Sequence, residues 1–300
     1  MKIQITFLGT AQAIPTETRN HTAILLQYKD ENMLVDCGEG TQRQFRRAKL
    51  NPCKLTKILI THWHGDHVLG LSGLLQTLAL NNYKKTLHIY GPRHTKEFMN
   101  QLYKIFVPVG KLRLEIHEVT GKFFENKEFE LIALPLVHGA PCNGYAFQEK
   151  NKLRINKNKL KKLKLEKKYL HLLKQLTEGK NITINNKVIK SKDFTYLEKG
   201  KKISFILDTK VCPNINKLVK DADLTIMEAT YSKNEEELAS QYKHMTAEQA
   251  AKIAKKEKVK KLILTHLSQR FEHKEHIILN EAKKIFKNTI LAEDLMQVEV

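Results

Sequence analysis

Short apolar runs recur along this chain, and many of them end on a histidine or an aspartate. Lys2–Leu8 and Thr22–Tyr28 have the pattern of strands, joined by the polar stretch from Ile14 to Asn20. Met33 to Val35 reads as a short buried strand that stops at Asp36, Cys37, Gly38, Glu39 and Gly40. Gly38 and Gly40 permit a sharp exit, and Thr41 opens a helix expected to run to about Leu50. Strand 57–60 follows, then a helix over Val68–Leu80 with Leu71, Leu74, Leu75 and Leu78 on one face. The alternation continues with strand Leu87–Tyr90, a helix near Thr95–Phe106, and strands near Leu112–Val119 and Phe129–Val137. Ile203–Leu207 and Leu262–Thr265 are further apolar strands. Helices near Pro213–Asp221, Thr246–Lys258 and Glu272–Phe286 read as structural. Strands interleaved with helices predict an α/β fold.

The residues that end these strands are the informative ones. Asp36, His62, His138, Asp208 and His266 each fall just after an apolar run. In α/β sheets ligands collect beyond the carboxyl ends of strands. A single such residue is more often an ordinary loop residue. Five of them point to one shared site. The densest stretch is Thr61 to His67, which holds His62, His64, Asp66 and His67. Imidazole and carboxylate suit zinc, which takes about four ligands. In an extended chain His62 and His64 point the same way, as alternate residues do. Asp66 and His67 lie past the turn at Gly65 and can face a second ion. The spacing therefore suggests two metals rather than a few surface histidines.

Charge adds a second theme. Lys and Arg number 52 against 32 Asp and Glu, a net charge of +20. Residues 150–202 alone hold 18 Lys and Arg against 4 Asp and Glu, an excess of 14. So local an excess favours a polyanionic partner such as nucleic acid over a merely solvated lysine-rich face. Within it, Asn158 to Thr177 carries Leu160, Leu163, Leu170, Leu173 and Leu176 among lysines and predicts one amphipathic helix. Ile182 to Ile189 predicts a hairpin with an Asn-Asn turn. The four cysteines, Cys37, Cys53, Cys142 and Cys212, are scattered and read as free buried thiols of a reducing cytoplasm. Neither a signal peptide nor a membrane span is legible.

In their order, the motifs resemble those of the metallo-β-lactamase superfamily, and within it the ribonuclease Z (tRNase Z) family. The matching pieces are Phe7 to Thr10, Pro15 to Asn20, Val35 to Gln42 and Thr61 to His67. They continue with His138 and Gly144 to Phe147, Leu207 to Thr209, Met227 to Thr230, His244 to Ala247, and Thr265 to Phe271. The histidine cluster alone marks the superfamily. Glu228-Ala229-Thr230, His244-Met245-Thr246-Ala247 and the basic insert mark the branch.

The resemblance implies an αβ/βα sandwich over residues 1–300, a single domain with 150–200 inserted as a basic RNA-binding arm. It implies that His62, His64 and His138 hold one Zn2+, that Asp66, His67 and His266 hold another, and that Asp208 bridges them. Mn2+ or Fe2+ would suit the same ligands. Asp36 would orient a ligand. Asp66 would be the general base, and His244, supported by Glu228, would protonate the leaving oxygen. His244 also precedes a good helix start at Thr246, so a capping role is compatible with this one. The implied reaction is removal of the 3′ trailer from precursor tRNA, leaving a 3′-hydroxyl on the tRNA and a 5′-phosphate on the trailer. Arg19, Lys161, Lys162, Lys164, Lys167 and Lys168 are the expected RNA contacts. The family's Gly-Pro arm motif is missing at Leu165 to Tyr169. A homodimer is implied, one subunit's arm presenting tRNA to the other's site. Two alternatives stand beside this reading. One is a phosphodiesterase of the same fold acting on another RNA or a small phosphodiester. The other is a non-catalytic RNA-binding paralogue, which should have lost ligands.

Overall fold

The computed structural model describes residues 2–105, 111–161, 167–184 and 187–300, without the side chains of 167 and 168. By its internal contacts the chain divides into two compact units. One comprises 1–125, 131–147 and 202–300, and the other 126–130 with 148–201.

The larger unit is built on two seven-stranded sheets. In the first, Gln4–Gly9 pairs antiparallel with Gln297–Glu299 on one side and with Ala23–Tyr28 on the other. Ala23–Tyr28 pairs antiparallel with Glu31–Val35. From there the strands run parallel through Lys57–Leu59 and Thr86–Gly91 to the edge strand Arg113–Glu118. In the second sheet, Lys202–Ile206, Leu224–Glu228, Leu262–Thr265 and Thr289–Leu291 form a parallel run. Cys142–Glu149, Phe129–Leu136 and Gly121–Glu125 complete it. The sheets meet through Tyr145, whose hydroxyl donates to the Ile60 carbonyl at 2.6 Å, and through the edge-on rings of Tyr28 and Phe147. Helices cover the outer faces. Leu71, Leu74 and Leu78 of helix Leu71–Leu80 pack with Ile58, Leu87 and Ile89 of the first sheet. Ala247, Ala250, Ala251 and Ala254 of helix Ala247–Lys256 pack with Leu262, Leu264 and Ile278 on the second. This is the expected αβ/βα sandwich, in which parallel strands bring their carboxyl ends to one edge.

The sequence pattern did not reveal Lys152–Ile155, Thr195–Glu198, Thr289–Leu291 or Gln297–Glu299, each only three or four residues long, nor two longer strands. Gly121–Glu125 was hidden in a polar stretch, and Cys142–Glu149 is buried on nearly every side chain, which erases the alternation that marks a strand. The helix expected over 68–80 is broken. Gly65–Val68 forms one short turn and Leu71–Leu80 the helix proper. The break has a steric cause at Gly70, where an added Cβ would lie 2.0 Å from the Gly38 carbonyl oxygen. Only glycine admits so close a backbone approach.

The smaller unit has its own core. Leu176, Ile182, Ile184 and Ile189 are buried, with Ile155, Tyr169, Leu172, Leu173 and Phe194 packed against them. Lys152–Ile155 pairs with Thr195–Glu198, and the expected hairpin forms between Ile182–Ile184 and Lys187–Ile189. Its Asn185 and Asn186 lie outside the described residues. The single amphipathic helix does not form. Lys157–Lys161 and Leu173–Thr177 are α-helical, and Lys167–Leu172 is a 3-10 helix. A three-residue repeat takes the leucine stripe off one face, and Leu170 is left 51% exposed while Leu176 is fully buried. Leu163 lies outside the described residues.

Among the described residues, no helix is long and apolar enough to cross a membrane. All four cysteines are free. Cys37, Cys142 and Cys212 are buried as expected, but Cys53, in the 3-10 turn Pro52–Lys54, is half-buried.

Candidate metal centre

The parallel edge assembles the polar strand ends. Strand Lys57–Leu59 delivers His62 and His64, and the turn Gly65–Val68 carries Asp66 and His67. Strands Phe129–Leu136, Lys202–Ile206 and Leu262–Thr265 deliver His138, Asp208 and His266. Asp36, Asp208 and His266 hold left-handed backbone conformations, with φ of 58°, 33° and 59°. Such conformations are uncommon for residues with a side chain and concentrate at functional sites.

Two donor groups with no member in common result, and His244 adds overlapping sets with His138 and Asp208 and with Glu228 and His266. His62, His64 and His138 form the first of the two, and Asp66, His67, Asp208 and His266 the second, each with its donor atoms within 4.8 Å of one another. In the first, His64 Nδ1 lies 3.0 Å from His62 Nε2 and 3.2 Å from His138 Nε2. In the second, Asp208 Oδ1 lies 3.3 Å from His67 Nε2 and 3.1 Å from His266 Nε2. Asp66 Oδ2 lies 3.2 Å and 3.5 Å from the same two nitrogens. The other oxygen of Asp208 faces the first group, 3.7 Å from His62 Nε2 and 3.8 Å from His138 Nε2. Asp208 thus reaches both groups with separate oxygens.

Hydrogen bonds on the far side of four of the five imidazoles set their tautomers. Asp36 Oδ2 accepts from His67 Nδ1 at 2.6 Å. The Lys243 carbonyl lies 3.2 Å from His138 Nδ1. Thr61 donates its hydroxyl to Asp36 at 2.7 Å and so can accept from His62 Nδ1 at 3.1 Å. Thr230 donates to Glu228 Oε2 at 2.7 Å and can accept from His266 Nδ1 at 2.9 Å. In all four, the proton belongs on Nδ1 and the Nε2 lone pair points inward. This is how protein ligands to a metal are ordinarily oriented.

The residues fit a metal on two counts. His67 Nε2, His266 Nε2 and Asp208 Oδ1 are buried polar atoms without a hydrogen-bond partner. Such atoms cost free energy unless something binds them. The electrostatics agree. Burial disfavours a charged His67, yet Asp208, Asp36 and Asp66 raise its pKa well above the usual imidazole range. Those carboxylates draw positive charge to Nε2, and a divalent ion there answers the same demand. Burial would raise the pKa of Asp66, but His67 and His266 hold it below the carboxylate range, so it stays ionised. Burial and its imidazole neighbours keep the pKa of His62 well below the usual range, hence neutral, as a ligand must be.

Glu228 and His244 form a second layer of this site. Glu228 is fully buried and ends strand Leu224–Glu228. It accepts from the backbone N–H groups of Thr209 at 2.5 Å and Met245 at 3.2 Å. Both its oxygens lie 3.1 Å from His244 Nδ1. Burial opposes charge on His244, but the Glu228 carboxylate outweighs it and raises the pKa to about 9. The ring stacks on His266 at 5.5 Å and tilts against His138 at 5.1 Å. The capping role holds as well, since Thr246 and Gln249 form a capping box two residues on. Thr61, Thr230 and the Lys243 carbonyl were missed as orienting groups. The two threonines sat inside motifs already noted, but which side chains they would face could not be read there.

The expected RNA contacts fare differently. Arg19 is 7% exposed, and its Nη1 donates to Thr10 Oγ1 at 2.8 Å and to the Ala292 carbonyl at 2.6 Å. Those bonds make it an internal tie between chain segments, which corrects its reading as an RNA contact. Lys161 is exposed. Lys162 and Lys164, and the side chains of Lys167 and Lys168, lie outside the described residues.

The sandwich and its edge of histidines and aspartates define a metallo-β-lactamase-fold protein. A family model for the β-lactamase superfamily domain matches residues 191–267, and one for the anti-Pycsar protein Apyc1 matches residues 3–108. Ribonuclease Z of Methanothermobacter thermautotrophicus is 37% identical over 300 residues, covering 99% of this chain and 97% of that one. Ribonuclease Z of Bacillus velezensis is 35% identical, covering 99% of both. The crystal structure of human tRNase Z, short form, superposes with a TM-score of 0.70 at 28% identity, covering 98% of both chains. The chain belongs to the ribonuclease Z family.

Proposed function

We propose that this chain removes the 3′ trailer from precursor tRNA with two Zn2+ ions, leaving a 3′-hydroxyl on the tRNA and a 5′-phosphate on the trailer. Family membership makes it a metal-dependent endoribonuclease of tRNA 3′ processing. The observation that carries the two-ion reading is Asp208, whose two oxygens face two separate donor groups. On this reading His62, His64 and His138 hold one ion, Asp66, His67 and His266 the other, and Asp208 is common to both. Bound metal ions of this kind lower the pKa of water and stabilise charge on a phosphate.

The chain's own groups account for proton movement. Asp66 is ionised, and its contacts to His67 and His266 both use Oδ2. On this reading Asp66, whose contacts to those two imidazoles leave Oδ1 unused, is the group that accepts a proton from the attacking water. His244 is held charged by Glu228 through Nδ1, which leaves Nε2 to protonate the departing 3′-oxygen. Asp36 keeps His67 in its ligand tautomer. Lysines of the 148–201 unit bind the RNA backbone, and the active form is a homodimer. The complete donor set speaks against a non-catalytic paralogue.

The test is to incubate purified protein with precursor tRNA and zinc, then map the cut and its end groups. A single cut at the 3′ side of the tRNA body with a 5′-phosphorylated trailer is expected. A 5′-hydroxyl trailer, or no cut with metal bound, would overturn the reading.

A further inference from the structure

A second cluster of metal-binding side chains lies on the first sheet, and none of its members belongs to the centre described above. Thr86–Gly91 and Arg113–Glu118 are parallel neighbours, with His88 opposite Glu115 and Tyr90 opposite His117. Strand alternation sends Leu87 and Ile89 into the helix-covered core. It sends His88, Glu115 and His117 to the other face together. We propose that His88, Glu115 and His117 form a separate site for a borderline divalent cation such as zinc.

Three observations carry this. First, the donor atoms of the three side chains lie within 4.8 Å of one another. Glu115 Oε2 is 3.3 Å from His88 Nδ1 and 3.7 Å from His117 Nε2. Two ligands each about 2.0–2.1 Å from a tetrahedral zinc lie about 3.3 Å apart, so little movement closes the set. Second, His88 Nδ1 and His117 Nε2 are shielded from solvent and lack hydrogen-bond partners. Two unsatisfied nitrogens beside one carboxylate oxygen are the acceptors a cation takes. Third, the rings are held in place. Tyr90 stacks on His117 at 4.9 Å, and Phe123 packs on Tyr90 at 4.9 Å.

The basic groups seen beside the cluster do not preclude a cation. Lys57, opposite His88 on the other neighbouring strand, is neutralised by Glu31 at 2.6 Å. Lys96 influences His117 less than burial, His88 or Glu115 does. The side chains of His88, Glu115 and His117 are 32%, 56% and 39% exposed, so the cluster lies at the surface although its two nitrogens face inward. An ion here would tie the edge strand to its neighbour.

The test compares the wild-type chain with H88Q/H117Q and with E115Q, each dialysed against buffered Zn2+ and assayed for metal per chain. Wild type should hold one equivalent more than either variant, and that equivalent should leave first as a chelator is added. Zinc should also raise the melting temperature of wild type more than that of the variants. RNA cleavage should be unchanged, because these residues lie outside the catalytic set. Equal stoichiometry and equal thermal shifts in all three proteins would mean a solvated His-Glu cluster and nothing more. Should the double variant fold poorly, H117Q alone must lower the affinity of this equivalent at least about tenfold, the least that loss of even a group supporting a ligand costs, or the site does not exist.

Discussion

At the parallel edge of the sandwich, charge is buried and each ring has an assigned partner. In the unit of 126–130 and 148–201, charge is spread over many lysines, carried on a core of Leu176, Ile182, Ile184 and Ile189. The first region concentrates negative charge, with Asp36, Asp66 and Asp208 all close to His67. The second concentrates positive charge, an excess of 14 over residues 150–202. The contrast follows from what each must attract. A cation is small and needs donors fixed to within a fraction of an ångström, which only a rigid, buried setting supplies. A polyanion is long and needs net charge more than position. Removing one aspartate should therefore ruin the first region, whereas the second should fail by degrees.

The largest effect is expected at the residue that both donor groups share. D208A should release metal and abolish RNA cleavage, since it also leaves His67 and His266 facing each other without the intervening carboxylate. Metal analysis and turnover on the same sample decide this. Full metal content with normal turnover would remove Asp208 from its bridging place.

H244A should keep both the metal and the RNA affinity yet slow cleavage by roughly 10²–10⁴-fold, the range for losing a general acid. E228Q should slow the same step. The two changes together should cost less than the product of each alone, because both act on one unit. Loss of metal from H244A would make it a ligand instead.

A smaller effect is expected from D36N, which keeps the shape but weakens the bond that fixes His67 Nδ1. Loss of such a support typically costs about 10–100-fold in metal affinity. A competition titration with a chelator measures it. Unchanged affinity would show that burial alone orients the ring.

The least effect on the centre should come from the basic unit. Replacing residues 156–194 with a short Gly/Ser linker keeps the paired strands Lys152–Ile155 and Thr195–Glu198. Metal content and turnover of a small phosphodiester should stay close to wild type. Affinity for precursor tRNA should fall. Its dependence on salt should flatten in proportion to the number of phosphates the shortened chain no longer neutralises. An unaltered salt slope would reduce the lysine excess to a solvated surface.

Most of the fold was legible because apolar periodicity survives wherever one face of an element is wet. It failed at Cys142–Glu149, where burial on both faces removes the period, and at Lys167–Leu172, where a 3-10 turn replaces the helix expected from the leucine spacing. Gly70 stops the helix over 68–80 because of a backbone that lies 32 residues earlier in the chain, a contact no local pattern records.

The site divides along the same line. The donor chemistry is written in the residue types alone, since imidazoles and carboxylates at strand ends have few other uses in such number. The sequence could also place the lysine excess, because charge is additive along a chain. The fold supplied what no local pattern holds: which oxygen of Asp208 faces which donor group, and that Thr61, Thr230 and the Lys243 carbonyl join Asp36 in setting the tautomers. The same holds for Arg19, which it buried as an internal tie rather than leaving it for RNA. Orientation and burial depend on how the strands and the two sheets come together, and the site draws its side chains from segments as far apart in sequence as Asp36 and His266. The kind of atom is local information, and the direction it points is not.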